Sequence, residues 1–486
     1  MRQFKKYEPK QSVIIPFDPA SHFPEKSFEN FLVSTINRLN IDGFYTDEPV
    51  KGETPFNPKS LLGIIFYGIA TGNFSSRKME RGCKNDFGFM YVSGFTTPDH
   101  ATICRFIEKF PKQINDVFVQ ILYIADSCGY LDYEIIATDG TKIKASASSD
   151  FSGTLEEFKK KIERLEKKIE EVMKKLKENN SENERETLQK KTEEYKNEKE
   201  KIASFLKGAE KIVTTKGKEA RQNVTDNDCR IMKRRHGYGE SYNAQATGDS
   251  KQGILIATDV SSAAIDTDNF SPMLDKIKTN TKEKTSKSKY VFDNGYHSTK
   301  NIVEAEEKNI DAYISPGSDK DYYRDIKKGD NEKIATEDCT ISKEGDKVLL
   351  TCPGGRVFSN IKESKRKSDG KESYYARVKV SEECEKCEHY DKCIGSLKNK
   401  EKIFWIDKLK VDNLGLMKAF QTKMQSEDGK KIYSRRMPTI ERVFGCIKTV
   451  FGYQGTYRRG KENIKTEWNL ICTTYNLKRM FSLKWS

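Results

Sequence analysis

Apolar positions recur along this chain with two different periods, and the change from one to the other divides it. Through the first 130 residues the steps are three and four. The stretch "SFENFLVSTINRL" places Phe28, Phe31, Leu32, Thr35, Ile36 and Leu39 on one helical face. "NPKSLLGIIFYGIATG" opens with Asn57 in the cap position and Pro58 in the first turn, and closes at Gly72. "TTPDHATICRFIEKF" repeats the design, with Thr97 as the expected cap and Pro98 in the first turn. Several short helices joined by tight turns suit a helix-turn-helix-like module. A purely structural helical cap fits the same pattern.

From Tyr133 the pattern changes to short β-branched runs. "YEIIATDGTKIKASAS", "SYNAQATGD" and "GILIATDVSS" read as strands, and "DTDNFSPMLDKIK" as an amphipathic helix. The strand "KYVFDNGYH", the helix "STKNIVEAEEKN" and the strand "DAYISP" come next. Three strands, a helix, a strand, a helix and a strand predict an α/β core, a mixed sheet carrying helices on its faces. This order matches the ribonuclease-H-like fold.

Two inserts interrupt the core. In residues 155–207, Phe158, Ile162, Leu165, Ile169, Val172 and Leu176 form a heptad seam, resumed after "ENNSENE" at Leu188, Tyr195 and Ile202. The seam predicts an antiparallel helical hairpin, a spacer or dimer contact without chemistry. The second insert, 317–430, reads as strand-poor, polar and rich in Lys. It carries Cys352 in "TCPGG" and Cys384, Cys387 and Cys393 in "CEKCEHYDKC". A Cys-x2-Cys knuckle with two further cysteines suits a structural zinc ion, with His389 as a substitute ligand; unligated thiols are the other reading. The expected divisions are a helical DNA-binding domain over 1–130 and a catalytic core over 131–154 and 208–316. The hairpin (155–207), the cysteine insert (317–430) and a C-terminal catalytic helix with basic tail (431–486) complete them.

Composition narrows the function. Charged residues make up 33% of the 486 and hydrophobic ones 35%, and the net charge is +14. From Lys430 onward 13 Lys and Arg face 3 Glu, a local +10 interleaved with aromatics in "VFGYQGTYRRGKENIKTEWN". Such a surface tracks a phosphate backbone, and double-stranded DNA is the expected partner. There is no run of eighteen apolar residues and no apolar signal segment, so no membrane association and a cytoplasmic location, on the nucleoid when DNA-bound, are expected. Eleven cysteines at irregular spacing give no disulfide framework.

The tetrapeptide "IATD" occurs twice, ending at Asp139 and at Asp259. In a ribonuclease-H-like sheet the fourth strand pairs in parallel with the first, and neighbouring strands lie about 4.8 Å apart. Acids on strands one and four can therefore share metal ions. Asp139 is on the first, Asp293 in "VFDNGY" on the fourth, and Asp259 on the third, about 10 Å from the first. Asp139 and Asp293 form the expected pair, and Asp259 a strand-end acid bonded to a turn. Two carboxylates holding two divalent ions roughly 3.5–4 Å apart suit in-line phosphoryl transfer. Magnesium is the expected ion, replaceable by manganese. A third acid is sought on a later helix, and "KIYSRRMPTIERVFGCIKTVFGY" offers Glu441, flanked by Arg435, Arg436 and Arg442, with Lys448 two helical turns on.

These motifs resemble those of bacterial insertion-sequence transposases of the DDE type. Their tyrosine–arginine–glutamate–lysine signature is matched by Tyr433, Arg436, Glu441 and Lys448, with four residues rather than three between Arg436 and Glu441. "DGTKIKASAS", "DNGYHS", "RVFGCIK…GYQGTYRRG" and the N-terminal "NPKSLLGIIFYGIATG…TTPDHATICRF" also resemble the family, from about residue 55 to 480. The resemblance implies DNA cleavage and strand transfer by Asp139, Asp293 and Glu441, and a homodimer in a synaptic complex on two terminal inverted repeats. Arg435, Arg436, Arg442, Lys448, Arg458 and Arg459 are the expected DNA contacts. Asp226 and Asp228 are candidates to assist the acids, Lys233, Arg234 and Arg235 to touch phosphates, and His297 to meet the scissile phosphate. Glu462 and Glu467 lie beyond the glycines of "GTYRRGKEN" and are expected to be dispensable. The rival readings are an inactive relative that represses by binding inverted repeats, and a metal-dependent nuclease that does not join strands.

Overall fold

A computed structural model describes residues 22–45, 54–178, 181–214, 217–235, 237–317, 334, 336–345, 347–365, 370, 372–395 and 401–485. The chain divides into two compact units, one of Met1–Cys128 with Ile447–Tyr453 and Asn469–Ser486, the other of Gly129–Cys446 with Gln454–Trp468. Among the described residues no helix is long and apolar enough to cross a membrane.

The first unit is helical. Phe28–Asn37 (α1) starts at Ser27, whose hydroxyl accepts the Asn30 N–H at 3.2 Å, and buries Phe28, Phe31, Leu32, Thr35 and Ile36. Pro58–Ala70 (α2) is capped by Asn57 and buried from Leu61 through Ile69, so its apolar circumference makes it the central helix of the unit. Ser76–Asn85 (α3), Phe87–Ser93 (α4), His100–Lys109 (α5) and Pro111–Ser127 (α6) surround it. The start of α5 differs from expectation. Asp99, not Thr97, is its cap, accepting the Thr102 N–H at 2.7 Å. A carboxylate at the positive end of a helix outcompetes a hydroxyl two residues earlier.

The second unit is built on a six-stranded mixed sheet. Its central strand is Ile135–Lys144 (β1), and the others are Arg230–Arg234 (β2), Gly237–Asp249 (β3), Leu255–Ser261 (β4), Lys289–Phe292 (β5) and Asp311–Ile314 (β6). β1 pairs antiparallel with β3 and parallel with β5, which pairs parallel with β6. On its far side β3 carries β2 along its first half and β4 along its second. The ribonuclease-H-like order is therefore present, with β2 as an added hairpin arm that strand reading missed. Ile135–Thr138 are all buried because helices cover both faces there, and the pattern alternates only beyond Asp139.

Leu155–Glu178 (α7) and Glu182–Gly208 (α8) form the hairpin insert. Phe158 meets Phe205 edge-on at 5.5 Å, and Lys168 lies over the Tyr195 ring, so the helices run antiparallel. The second insert corrects the expectation of a strand-poor segment. It holds two three-stranded sheets: Thr340–Glu344 (β7), Lys347–Thr351 (β8) and Val357–Phe358 (β9), then Ile361–Lys365 (β10), Glu372–Lys379 (β11) and Glu401–Asp407 (β12). Lysines at their ends and outward positions hide an alternation that buries Val348, Leu350, Ala376, Val378, Phe404 and Ile406 in one core.

Leu414–Gln425 (α9) and Glu427–Ser434 (α10) return to the main sheet, where Lys423 donates to the Ala312 carbonyl at 3.0 Å and covers the Tyr313 ring. Beyond α10 the chain does not form one α-helix: Met437–Glu441 and Cys446–Val450 are π-helical around Arg442–Gly445 (α11). Lys448 is therefore not two α-helical turns beyond Glu441, as expected. Lys461–Trp485 (α12) carries most of the C-terminal tail. It is buried from Thr466 through Leu477, and Thr473 and Thr474 turn their hydroxyls to carbonyls four residues back.

Candidate active site

The β1–β5 register ends at the pair Thr138–Phe292, and each strand's next residue is an aspartate. Asp139 and Asp293 thus emerge side by side from parallel neighbours, about 4.8 Å apart in backbone. Each is fixed by its own turn. Asp139 Oδ1 accepts the Gly140 N–H at 2.7 Å, and Asp293 Oδ1 accepts the Gly295 N–H at 2.8 Å, capping the short helix Asn294–Tyr296. Burial, and after it the charge of Asp293, push the Asp139 carboxyl up to about 8 against the pull of Arg436.

Arg436 supplies the link to Glu441. One guanidinium nitrogen donates to Asp139 Oδ2 at 3.0 Å and another to Glu441 Oε1 at 3.2 Å. Its side chain is 3% exposed, enclosed between the two carboxylates it joins. Glu441 is 46% exposed and opens to solvent. The extra residue between the two is absorbed by the π-helical stretch Met437–Glu441, where i to i+5 bonding brings residues five apart onto one face. In an α-helix the same insertion would have turned the pair away from each other.

Beneath the acids lies a polar network that sequence reading missed. Asp266 Oδ1 accepts Asn243 Nδ2 at 2.6 Å, Gln245 Nε2 at 3.0 Å and Lys142 Nζ at 3.1 Å. The buried Tyr296 hydroxyl donates to Gln245 Oε1. The space is filled to the backbone: a Cβ at Gly140 would stand 2.4 Å from Gln245 Nε2 and 2.6 Å from Asp266 Oδ1. Asp266 opens the stretch "DTDNF", which reads in sequence as the start of an amphipathic helix. Nothing in that pattern marks it as a neighbour of Asp139.

The remaining candidates separate. Asp259 pairs with Lys465 at 3.4 Å, away from the acids. Asp226, buried, accepts the Tyr242 hydroxyl at 2.6 Å and the Gly460 N–H at 3.3 Å, and Asp228 accepts the Lys461 N–H at 2.9 Å. Both anchor the 456–461 loop. The same loop is also held by Glu467. That residue is 8% exposed and accepts the backbone N–H groups of Tyr457, at 3.0 and 3.2 Å, and of Arg458, at 3.0 Å. Arg435, Arg442 and Arg459 are exposed, Arg458 and Lys448 half-buried, and Arg459 Nε donates to the Ser146 carbonyl at 2.7 Å. Lys233 and Arg235 are exposed and Arg234 half-buried. His297 is half-buried, and burial, then Lys410, hold its ring below the usual imidazole value.

Cys352, Cys384, Cys387 and Cys393, with His389, line one small cavity of about 40 Å³ in the second insert. Among the described residues no three ligating side chains are already gathered as around a bound ion, at this cavity or at the acids.

Two family models match the chain. One, described as a Transposase DDE domain, covers residues 351–481 and so includes the four cysteines and Glu441. The other, described as Transposase domain (DUF772), covers residues 17–109 of the helical unit. No curated protein matches. With a mixed sheet of this order lying between them in sequence, the two matches support an insertion-sequence transposase of the DDE type.

Proposed function

We propose that this transposase cleaves DNA at the ends of its element and transfers the freed strand to target DNA. Asp139, Asp293 and Glu441 are the carboxylates we assign to divalent cations, magnesium or in its place manganese. The convergence of these acids carries the reading: two stand at the same end of adjacent parallel strands, and one guanidinium ties the third to the first. The donors are all carboxylate oxygens, which suits magnesium, and the mutual repulsion of Asp139 and Asp293 is what a dication would relieve. Ions bound there would activate the attacking hydroxyl and stabilise the leaving oxygen.

The chain's own residues supply position and charge. Gly140 and Gly295 hold one oxygen of each aspartate through backbone N–H groups, and Arg436 takes the second oxygen of Asp139. Arg436 keeps Asp139 and Glu441 together in the DNA-free protein. Arg435, Arg442 and Arg459 are exposed to meet phosphates, with Arg458 on the loop held by Glu467. Two copies in a synaptic complex would bring two inverted-repeat ends to one target.

Asp293→Asn and Glu441→Ala should bind end DNA as the parent does yet cleave it at least ~100-fold more slowly with magnesium, because binding and transition-state placement use different groups. Glu462→Ala, 81% exposed, should cleave normally. Cleavage by Glu441→Ala at the parent rate would overturn the assignment. Cleavage without joining in the parent would favour a nuclease, and binding without cleavage a repressor.

A further inference from the structure

Outside the acid cluster, the richest group of ligating side chains is in the second insert. Cys352 sits on the turn between β8 and β9, in the first small sheet, where Gly355 takes φ +82° and donates to the Cys352 carbonyl at 2.8 Å. Cys384, Cys387 and Cys393 lie between β11 and β12, the two long strands of the second sheet. The four cysteines line one small cavity across sequence separations of up to 41 residues, and Gly354 lines it with them. A Cβ there would come within 2.7 Å of Cys387 Sγ and 3.8 Å of Cys352 Sγ.

Hydrogen-bond donors surround three of the sulfurs. Arg356 donates to Cys384 Sγ at 3.2 Å, with the Ser381 hydroxyl at 3.6 Å. The His389 N–H, two residues after Cys387, points to Cys387 Sγ at 3.5 Å, and Lys402 Nζ lies 3.8 Å from Cys393 Sγ. Cations and N–H groups around the sulfurs supply the second shell that metal-bound thiolates use. The fifth nearby thiol, Cys339, is buried among apolar neighbours and belongs to the core.

We propose that Cys352, Cys384, Cys387 and Cys393 together bind one zinc ion that pins the two small sheets of the insert to each other. The insert needs such a link. Among the described residues its core has nine buried members, and the two sheets share no strand. A core so small is ordinarily supported by a metal or a disulfide. Four thiols around one cavity satisfy a tetrahedral ion; His389 is turned to Glu388 at 3.3 Å and is left outside the ligand set. Closure is by thiols moving between staggered χ1 wells. The link is independent of the cleavage chemistry.

The test uses the full chain purified without added zinc. Elemental analysis should find one zinc per chain, and cobalt introduced after chelation should give the visible bands of a tetrahedral thiolate site. Cys387→Ser and Cys393→Ser should lose the metal and leave the insert readily cut by protease, while Cys128→Ser, at an exposed cysteine of the helical unit, keeps both. Should a serine variant fail to fold, the cobalt spectrum of the parent decides. Absence of both zinc and the cobalt bands overturns the proposal. So does full zinc in Cys387→Ser, or a thiol count showing the four cysteines paired as disulfides.

Discussion

Glu467→Ala gives the sharpest test of how the basic loop is held. The carboxylate is buried and receives two backbone N–H groups through three contacts, at Tyr457 and Arg458. Hydrogen bonds to a charged acceptor contribute about 1.5–3 kcal/mol each. Truncation strands both donors, and water reclaims part of the loss because Tyr457 is 54% exposed. A destabilisation of ~2–4 kcal/mol is expected from two such bonds partly recovered. Glu467→Gln keeps the shape and a neutral acceptor, so about 1 kcal/mol is expected. The measurement is the urea unfolding midpoint, paired with end-DNA affinity over a range of salt. Arg458 and Arg459 lose their fixed positions in Glu467→Ala, so the log–log salt slope should shrink by roughly one to two phosphate contacts. An unchanged midpoint and slope would show that the loop keeps its place without Glu467, and the reasoning would fail.

Two further expectations concern the acids. The Asp139 carboxyl sits at about 8 in the folded chain against about 3.9 when unfolded, so the native state binds an extra proton between those values. Its contribution to stability is complete below the unfolded value and is lost as pH rises through the folded one; thermal midpoints in chelator should fall from pH 6 to 9, and Asp139→Asn should flatten that slope. Equal slopes in the two proteins would refute it. Gly140→Ala would drive a methyl against Gln245 and Asp266, costing about 1–3 kcal/mol and slowing cleavage with DNA affinity kept; a normally cleaving variant would show that the network yields without disturbing Asp139.

Strand order and the pairing of Asp139 with Asp293 were legible because both depend on local patterns. Each acid ends a β-branched run, and the helices between the strands allow only a few connections. Asp259 ends an equally good run, yet its place on β4 puts it beside Lys465 instead. The small sheets were not legible. "KVLLT" and "EKIFWID" bury alternate residues, but Lys at their ends and polar neighbours lower the mean hydropathy of the window below that of a strand. The hidden network failed for a different reason. Asn243, Gln245 and Asp266 are polar groups in a strand and at a helix start, and their convergence is a property of the packed sheet rather than of any spacing.

The arginines mark where sequence reasoning must stop. Arg435 and Arg436 are adjacent and alike in chemistry, and a motif cannot say which one faces inward. Successive positions of a helix point in different directions. Packing on the sheet selected Arg436, whose burial is tolerable because Asp139 and Glu441 both receive it. The spacing that looked like a departure from the family signature is explained by the same contact. A fourth residue between Arg436 and Glu441 would break an α-helical pairing, but the π-helical stretch restores it. Backbone irregularity and motif irregularity are thus one feature: the helix bulges to accommodate the additional residue, and the bulge keeps Glu441 on the guanidinium that also holds Asp139.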